Sequence, residues 1–366
     1  MKTILKSETT KNALIESALF FRKIAFEIDT NPEAIIKYVN HPAIEGLVSG
    51  AELDSLARVK LYETLGYGDA GVLLACPGAS LAGMMIDEMG DQHQKDIFYH
   101  HVRTAKARTF LAVTEPSSGS NIRQITTRIQ SVSNQWLLTG EKWLVGHGAT
   151  ASIGVVIVKL NEGPLGIRAV LVTPEILNNQ STHIQRMVLP MVGLKGARLG
   201  RLLFNQAEVA QELLLGTHLN ITERGMVPLI KTFNRMRPCV GALAIGVAQA
   251  VVDYIAEHRS TQHSQLHHLN RIISVSRELL YLAAAHVEKN PFDSNLSSLA
   301  KVKATNTAEI IAHAIPQLMG RFAFLEHPFL EKWYRDIWGF EYMEGTQNMH
   351  KMNVCNAYHR NSESFF

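Results

Sequence analysis

The spacing of apolar residues changes twice along the chain. From residue 1 to about 110, apolar side chains recur at intervals of three and four, as in NALIESALFFRKIAFEI and SLARVKLYETL. This is the period of an amphipathic helix, and the breaks coincide with Pro and Gly clusters such as CPGAS. We therefore predict an N-terminal all-α domain over residues 1–110.

Between residues 111 and 216 the pattern is typical of strands. Runs such as NQWLLTGEKWLV, ASIGVVIVKL, GIRAVLVTP and RLGRLLFNQAEV alternate or are rich in β-branched residues, and turn residues separate them. Because helices do not intervene, we predict a separate middle domain, either a compact antiparallel barrel or a sandwich.

Helical spacing returns after Gly216, in three long segments and in a tail helix around Asn348. Two of these segments read LHHLNRIISVSRELLYLAAAHV and LSSLAKVKATNTAEIIAHAIPQLM. Long amphipathic helices joined by short polar loops favour an antiparallel bundle of four or more helices. We place this predicted bundle at residues 217–366.

Composition restricts the class of function. The chain is 46% hydrophobic and 19% charged, as expected of a globular protein. Its net charge is +3, and the basic residues are scattered along the chain, so we expect no nucleic-acid partner. Its start lacks the pattern of a signal peptide, and no run of about 18 uncharged apolar residues suggests a membrane span. The three cysteines lie far apart, and we predict a cytoplasmic protein with reduced thiols.

Two motifs are weak. GYGDAG at residues 66–71 fits the dinucleotide-binding pattern, but it follows a helical segment, so we interpret it as the start of a helix. His263 and His267 are four residues apart without an acidic or cysteine ligand at a matching offset. We therefore expect no metal site.

Two other segments carry candidate chemistry. LAVTEPSSGSN at 111–121 joins a strand to a loop whose hydroxyl and N–H groups are able to bind a ring system or a phosphate, and an ordinary turn has the same composition. RDIWGFEYMEGTQNMH at 335–350 places Glu344 directly before a glycine and a threonine. This carboxylate is either a general base or a cap for the following helix.

Together with LKGARLGRLLFNQAEVAQELLLG at 194–216 and FNRMRP at 233–238, these segments resemble the acyl-CoA dehydrogenase family in order and spacing over almost the whole chain. The resemblance implies an N-terminal all-α domain, a central antiparallel β-barrel and a C-terminal four-helix bundle. It also implies FAD, an acyl thioester substrate on CoA or on an acyl-carrier protein, and a homodimer or homotetramer.

The resemblance also implies roles for individual residues. Glu344 falls on the position of the family's catalytic base. In some relatives the base stands at the position of Met236, and methionine cannot accept a proton. Asn234 and Arg237 match the stretch that faces the substrate. Positions that bind FAD are matched by Val113, Thr114, Ser120, Thr346 and Asn348, and Ser120 also matches a contact to the phosphopantetheine arm of the substrate.

Three departures from the family pattern fall on positions that contact FAD. After the barrel's G-x-K, the aromatic-Ile-Thr-Asn turn of the family is replaced by Leu144, Val145, Gly146 and His147, with Trp143 one place earlier.

The other two departures lie in the bundle. Arg259 is kept, without the phenylalanine and glycine that follow it in the family. Gln317 and Gly320 keep part of a glycine-rich loop in which Arg321 and Ala323 replace glycines.

The implied reaction is α,β-dehydrogenation of an acyl thioester, with the α-proton going to Glu344, the β-hydride to flavin N5 and the electrons on to an acceptor such as an electron-transfer flavoprotein. The α-carbon of a thioester is a weak acid, so removal of its proton requires a polarised carbonyl and a desolvated base. Two alternatives stay open: a flavin-free family member that serves as an assembly or binding protein, and a flavin oxidase or monooxygenase on the same scaffold.

Overall fold

A computed structural model of the chain describes residues 8–48, 53–119, 121–132, 135–259 and 263–363. The helices of the N-terminal part are α1 (Glu8–Thr30), α2 (Pro42–Val48), α3 (Ser55–Ala75), α4 (Ser80–Met89) and α5 (Gln92–Thr104). The central part holds β1 (Thr109–Ala112), β2 (Arg128–Val132), β3 (Gln135–Val145), β4 (Ile153–Lys159), β5 (Ile167–Val172), α6 (Pro174–Asn179), β6 (Ile184–Val188) and β7 (Gly200–Val209). The C-terminal part holds α7 (Met226–His258), α8 (His263–Lys289), α9 (Asn295–Met319), α10 (Ala323–Glu326), α11 (Pro328–Ile337) and α12 (Gln347–Glu363).

The predicted succession of helices, strands and helices is confirmed, but the N-terminal helices divide between two hydrophobic cores. Helix α3 packs along α1 and α7, so the first three helices share one core with the C-terminal bundle. Helices α4 and α5 instead bury Met85, Ile86 and Phe98 in the core of the sheet. The domain boundaries after residues 110 and 216 stay predictions.

The central sheet is a curled half-barrel. Its strand order is β1-β4-β2-β3-β7-β6, and β5 pairs with β4. Most pairs are antiparallel, but β1 and β4 are parallel, with Thr109 opposite Ile153, and β2 and β4 are parallel, with Arg128 opposite Lys159. The predicted antiparallel pairing is therefore wrong for these two pairs. All residues of β5 are buried because both of its faces are covered, which explains why its sequence is a continuous apolar run.

Helices α7, α8, α9 and α12 form the predicted bundle, in which α9 contacts the other three. The segment Ile221–His258, which includes α7, is long and apolar enough to cross a membrane by length and composition. However, 78% of its most apolar window is buried inside the protein, as is usual for the core helix of a bundle.

The GYGDAG motif lies at a kink of α3. Asp69 has extended backbone angles, and its Oδ1 accepts a hydrogen bond from the backbone N of Val72 at 2.8 Å, so it caps the second segment of the helix. A Cβ at Gly68 would collide with the carbonyl oxygen of Ala18 in α1, which explains the glycine. The motif therefore starts a helical segment, as the sequence predicts.

A buried charged triad joins three distant segments. Lys332 Nζ of α11 donates to Asp69 Oδ2 at 2.6 Å and to Asp336 Oδ2 at 2.7 Å, and all three side chains are buried. Asp336 Oδ1 in turn accepts a hydrogen bond from the backbone N of Leu194 at 2.6 Å. One ammonium group thus ties α3 and α11 to the loop before β7.

We expect Lys332→Met to lower the free energy of unfolding by about 3–5 kcal/mol, because two buried carboxylates lose their counter-charge. The measurement is urea unfolding followed by circular dichroism. Lys37→Met, which removes an exposed ion pair with Glu27, is the control and is expected to cost less than about 1 kcal/mol. A similar small loss in both variants would show that the triad does not stabilise the fold.

Candidate active site

Glu344 lies in the turn that precedes α12. Its φ is +54° and that of Gly345 is +103°, so two consecutive residues adopt the left-handed region. At this φ any residue with a side chain would be strained, so the position of Gly345 requires glycine. Because the left-handed conformation is unfavourable for glutamate, the turn must be held by contacts with its surroundings.

Other residues cap α12. Glu341 Oε1 accepts a hydrogen bond from the backbone N of Gln347 at 3.0 Å, and Thr346 Oγ1 accepts one from the backbone N of Met349 at 3.4 Å. Within the described part of the chain, no donor lies within hydrogen-bond distance of the Glu344 carboxylate. The geometry therefore favours the interpretation of Glu344 as a base over its interpretation as a helix cap.

The surroundings of Glu344 make it a stronger base. Burial raises the pKa of its carboxyl to about 7, and the positive charges of Arg237 and Lys301 limit this rise. A general base is most effective when its pKa lies near the working pH, because it is then both basic and largely ionised.

Arg237 and Asn234 approach the base from α7. Arg237 Nε donates to the carbonyl oxygen of Glu344 at 3.4 Å, and its Nη1 donates to Asn234 Oδ1 at 2.6 Å. Asn234 is fully buried, and its Nδ2 donates to the carbonyl oxygen of Pro291 at 2.9 Å. The structure thus brings these two predicted substrate-binding residues to Glu344, but it uses the Asn234 amide to orient Arg237.

Lys301 on α9 belongs to the same site, and the sequence analysis missed it. Its buried Nζ donates to the carbonyl oxygens of Glu341 and Gly345, both at 2.7 Å. Burial lowers its pKa to about 8. The sequence feature that could have revealed Lys301 is its place on the buried face of a bundle helix, three residues before the buried Ala304.

The loop after β1 is fixed by a buried ion pair, which the sequence analysis also missed. Lys142 Nζ donates to the carbonyl oxygen of Val113 and to Glu115 Oε1, both at 2.9 Å. Glu115 also accepts hydrogen bonds from the backbone N of Thr126 and Thr127, at 2.6 and 2.9 Å. The ion pair therefore holds both ends of the loop that the sequence assigns to FAD.

The altered turn follows Lys142 in β3. The backbone N of Trp143 donates to the carbonyl oxygen of Thr114 at 2.8 Å, and the register with β7 then shifts between Lys142 and Val145. Leu144 has φ +55° and a 49% exposed side chain, whereas Val145 is buried. Among the predicted FAD contacts, Val113, Thr114, Leu144, Val145 and Gly146 therefore lie together, and Ser120 lies outside the described residues.

His147 anchors this turn to α3. Its Nε2 lies 2.6 Å from the carbonyl oxygen of Leu74, and its backbone N donates to the carbonyl oxygen of Ala197 at 2.9 Å. Burial lowers its pKa to about 4, so the ring is neutral at pH 7. The residue that replaces the asparagine of the family is thus a packed structural histidine.

The remaining predicted FAD contacts lie at the ends of bundle helices. Arg259 Nη2 donates to the carbonyl oxygen of Met319 at 3.0 Å, which brings Arg259 to the C-terminal end of α9, where Gln317 lies in the last turn and Gly320 directly follows the helix. Gln317, Gly320 and Asn348 are exposed, and Gly320 has φ +89°. Among the described residues, no group of three or more His, Cys, Asp or Glu side chains has a geometry suited to a metal ion.

Comparison with known proteins identifies the class to which this fold and site belong. Residues 111–207 match the middle domain of acyl-CoA dehydrogenases, and residues 223–359 match their C-terminal domain. The chain belongs to the acyl-CoA dehydrogenase family.

Individual relatives are distant. The chain is 24% identical to the 3-(aryl)acrylate reductase of Clostridium sporogenes, over 91% of this chain and 92% of that protein. It is also 24% identical to the mitochondrial short-chain specific acyl-CoA dehydrogenase of Rattus norvegicus, over 84% and 77%.

Solved structures share the fold. Butyryl-CoA dehydrogenase from Megasphaera elsdenii superposes with a TM-score of 0.78 at 21% identity, over 95% of this chain and 97% of that one. The prolyl acyl carrier protein oxidase AnaB superposes with a TM-score of 0.82 at 18% identity, over 96% and 99%.

The raised pKa of Glu344 has a consequence for stability. Between the ordinary value of 4.5 and about 7, the folded protein keeps a proton that the unfolded chain has released, so stability falls as pH rises through this window. We expect Glu344→Gln to remove this loss. Relative to the wild type, its free energy of unfolding should rise by about 1–3 kcal/mol between pH 4.5 and pH 8.

Urea unfolding at several pH values measures this difference. Glu162→Gln, which changes a carboxylate that is 91% exposed, is the control and should show no such trend. A difference between Glu344→Gln and the wild type that does not vary with pH would contradict the raised pKa.

Proposed function

We propose that the protein catalyses the FAD-dependent α,β-dehydrogenation of an acyl thioester, with Glu344 as the base that removes the α-proton. One observation carries this proposal. Glu344, at the position of the family's base, is a half-buried carboxylate whose pKa is raised by burial to about 7, with no hydrogen-bond donor on its side chain among the described residues and no capping role. A purely structural carboxylate would be expected to accept hydrogen bonds.

FAD is the cofactor of the family, and two features of the loops near Val113 fit it. The hydroxyl of Ser118 is buried and has no hydrogen-bond partner, so it is available to a ligand. Leu144 and the half-buried Trp143 offer apolar surface to a planar ring. When bound, FAD supplies the acceptor for the hydride that leaves the β-carbon.

The chain's own residues provide for the removal of the proton. Burial withdraws the Glu344 carboxylate from part of the solvent, which raises its basicity. Arg237 and Lys301 hold the pKa of this carboxyl below the value that burial alone would give, because their charges act on the carboxylate while their hydrogen bonds go to Asn234 and to backbone carbonyls. The ionised Glu344 Oε atoms then accept the α-proton, and the protonated acid stays stable in the same pocket.

The substrate that we propose is an acyl group on CoA or on an acyl-carrier protein, both of which present a pantetheine thioester. The similar proteins support both carriers. The relatives include short-chain acyl-CoA dehydrogenases, and the structures with the same fold include a prolyl acyl carrier protein oxidase. For the electrons we propose an acceptor such as an electron-transfer flavoprotein. We further propose a cytoplasmic homodimer or homotetramer.

The first test is the visible spectrum of the purified protein, followed by anaerobic bleaching of the flavin with acyl thioesters. We expect bound FAD, and we expect Glu344→Gln to bind FAD but to bleach about 10²-fold more slowly, because the base is lost. Glu162→Gln is the control and should bleach at the wild-type rate.

Three results would overturn the proposal. A protein that stays colourless with added FAD would favour the flavin-free binding protein, and unchanged bleaching in Glu344→Gln would exclude Glu344 as the base. Rapid reoxidation of the reduced protein by oxygen would replace the dehydrogenase with an oxidase or monooxygenase.

A separate experiment distinguishes the two carriers. The same acyl group is offered on CoA and on a phosphopantetheinylated carrier protein, and kcat/KM is compared. A carrier-specific enzyme would favour the protein-bound substrate by about 10-fold or more, because the protein surface adds contacts that CoA lacks. Equal values would show that the site recognises only the pantetheine thioester.

A further inference from the structure

The backbone around Glu344 is held by cations on two helices. Three carbonyl oxygens of the turn, those of Glu341, Glu344 and Gly345, accept hydrogen bonds from positively charged side chains. Lys301 alone supplies two of these bonds, both 2.7 Å long, whereas the bond from Arg237 is 3.4 Å long. Lys301 therefore holds the turn more strongly than Arg237 does.

The two carbonyls that Lys301 binds flank the base. They belong to Glu341, three residues before Glu344, and to Gly345, directly after it. Because Glu344 and Gly345 both have positive φ, a relaxed chain would leave this conformation. A fully buried ammonium group that binds both ends of the turn opposes such relaxation, since charge-assisted hydrogen bonds are strong in a low-dielectric interior.

Lys301 also differs from an ordinary partner of a carboxylate. Its Nζ donates to the two carbonyls, and its charge reaches the Glu344 carboxylate through space. A direct ion pair would lower the basicity of Glu344 much more, because it would add hydrogen bonds to the ionised form.

We propose that Lys301 is a positioning residue for Glu344: it fixes the left-handed turn through two backbone carbonyls and places a positive charge beside the carboxylate. The proposal deepens the proposed function, on which it rests for the role of Glu344 as a base.

The other titratable groups near Glu344 are known from the elements that pack around it. Tyr62 of α3 and Cys239 of α7 are neutral because burial raises the pKa of each. His350 of α12 is neutral because burial lowers its pKa to about 3. Among the described residues, positive charge therefore reaches Glu344 from Arg237 and Lys301.

The test measures the pKa of Glu344 directly, by carbon-13 NMR of protein labelled at the glutamate carboxyl carbon. The Glu344 signal is assigned by its absence in Glu344→Gln. We expect Lys301→Gln, which keeps a donor but loses the charge, to raise this pKa by about one unit. Lys301→Arg, which keeps the charge, should leave the pKa of Glu344 within about 0.3 units of the wild-type value.

Lys301→Met loses both the donor and the charge. We expect it to raise the pKa at least as much and, in addition, to shift the backbone amide signals of Gly345 and Thr346. The control is Lys303→Met, because Lys303 lies on the same helix and is only partly buried. It should leave the pKa of Glu344 and these amide signals unchanged.

Turnover provides a second measurement. The acidic limb of the kcat/KM profile should move up with the pKa in Lys301→Gln, which lowers activity at pH 7 by about fivefold and leaves the rate at high pH nearly unchanged. A loss of fold alone would lower the rate at all pH values.

Two outcomes would overturn the proposal: an unchanged pKa in Lys301→Gln, or an equal rise in Lys301→Arg and Lys301→Gln. If Lys301→Met does not fold, the comparison of Gln with Arg still decides. The NMR measurement requires neither FAD nor turnover. Failure of the dehydrogenase proposal would therefore show in the bleaching experiment, and failure of the Lys301 proposal would show in the pKa.

Discussion

The proposed active site depends on one arrangement: the half-buried Glu344 carboxylate has no hydrogen-bond donor in the described structure, while cations bind its backbone. An ion pair between Arg237 and the carboxylate itself would bring its pKa down by about 1–3 units and weaken the base. Because Arg237 and Lys301 donate their hydrogen bonds to carbonyl groups, their positive charges act on the carboxylate only through space. This gives a role to Asn234 and Lys301 on the buried faces of α7 and α9.

The same use of buried lysines recurs elsewhere in the fold. Lys332 joins α3 and α11 through two aspartates, and Lys142 joins the loop after β1 to β3 through Glu115 and a carbonyl. In each case one ammonium group joins two segments of the chain that are far apart in sequence. A buried charge costs free energy on its own, so these contacts favour only the arrangement in which every partner is in place.

The sequence predicts the order of elements well, because helices and strands with one buried face leave a period of 3.6 or 2 residues. It does not predict that β1 and β4 are parallel, or that α4 and α5 join the core of the sheet, since neither depends on a local period. At the site, the resemblance to a family points to Glu344. Lys301 is missed because its partners are backbone carbonyls 40 and 44 residues away.

The departures from the family pattern become understandable when the two halves of the site are compared. The half around Glu344 is built by α7 and α9, whereas the half assigned to FAD is built by loops of the sheet and by helix ends. In the second half, His147 Nε2 and Arg259 Nη2 contact the carbonyl groups of Leu74 and Met319. The loop backbone is held by Lys142 and Glu115, which none of the altered side chains replaces. Side chains toward the cofactor are therefore able to change while the frame of the loop and the position of the base stay fixed.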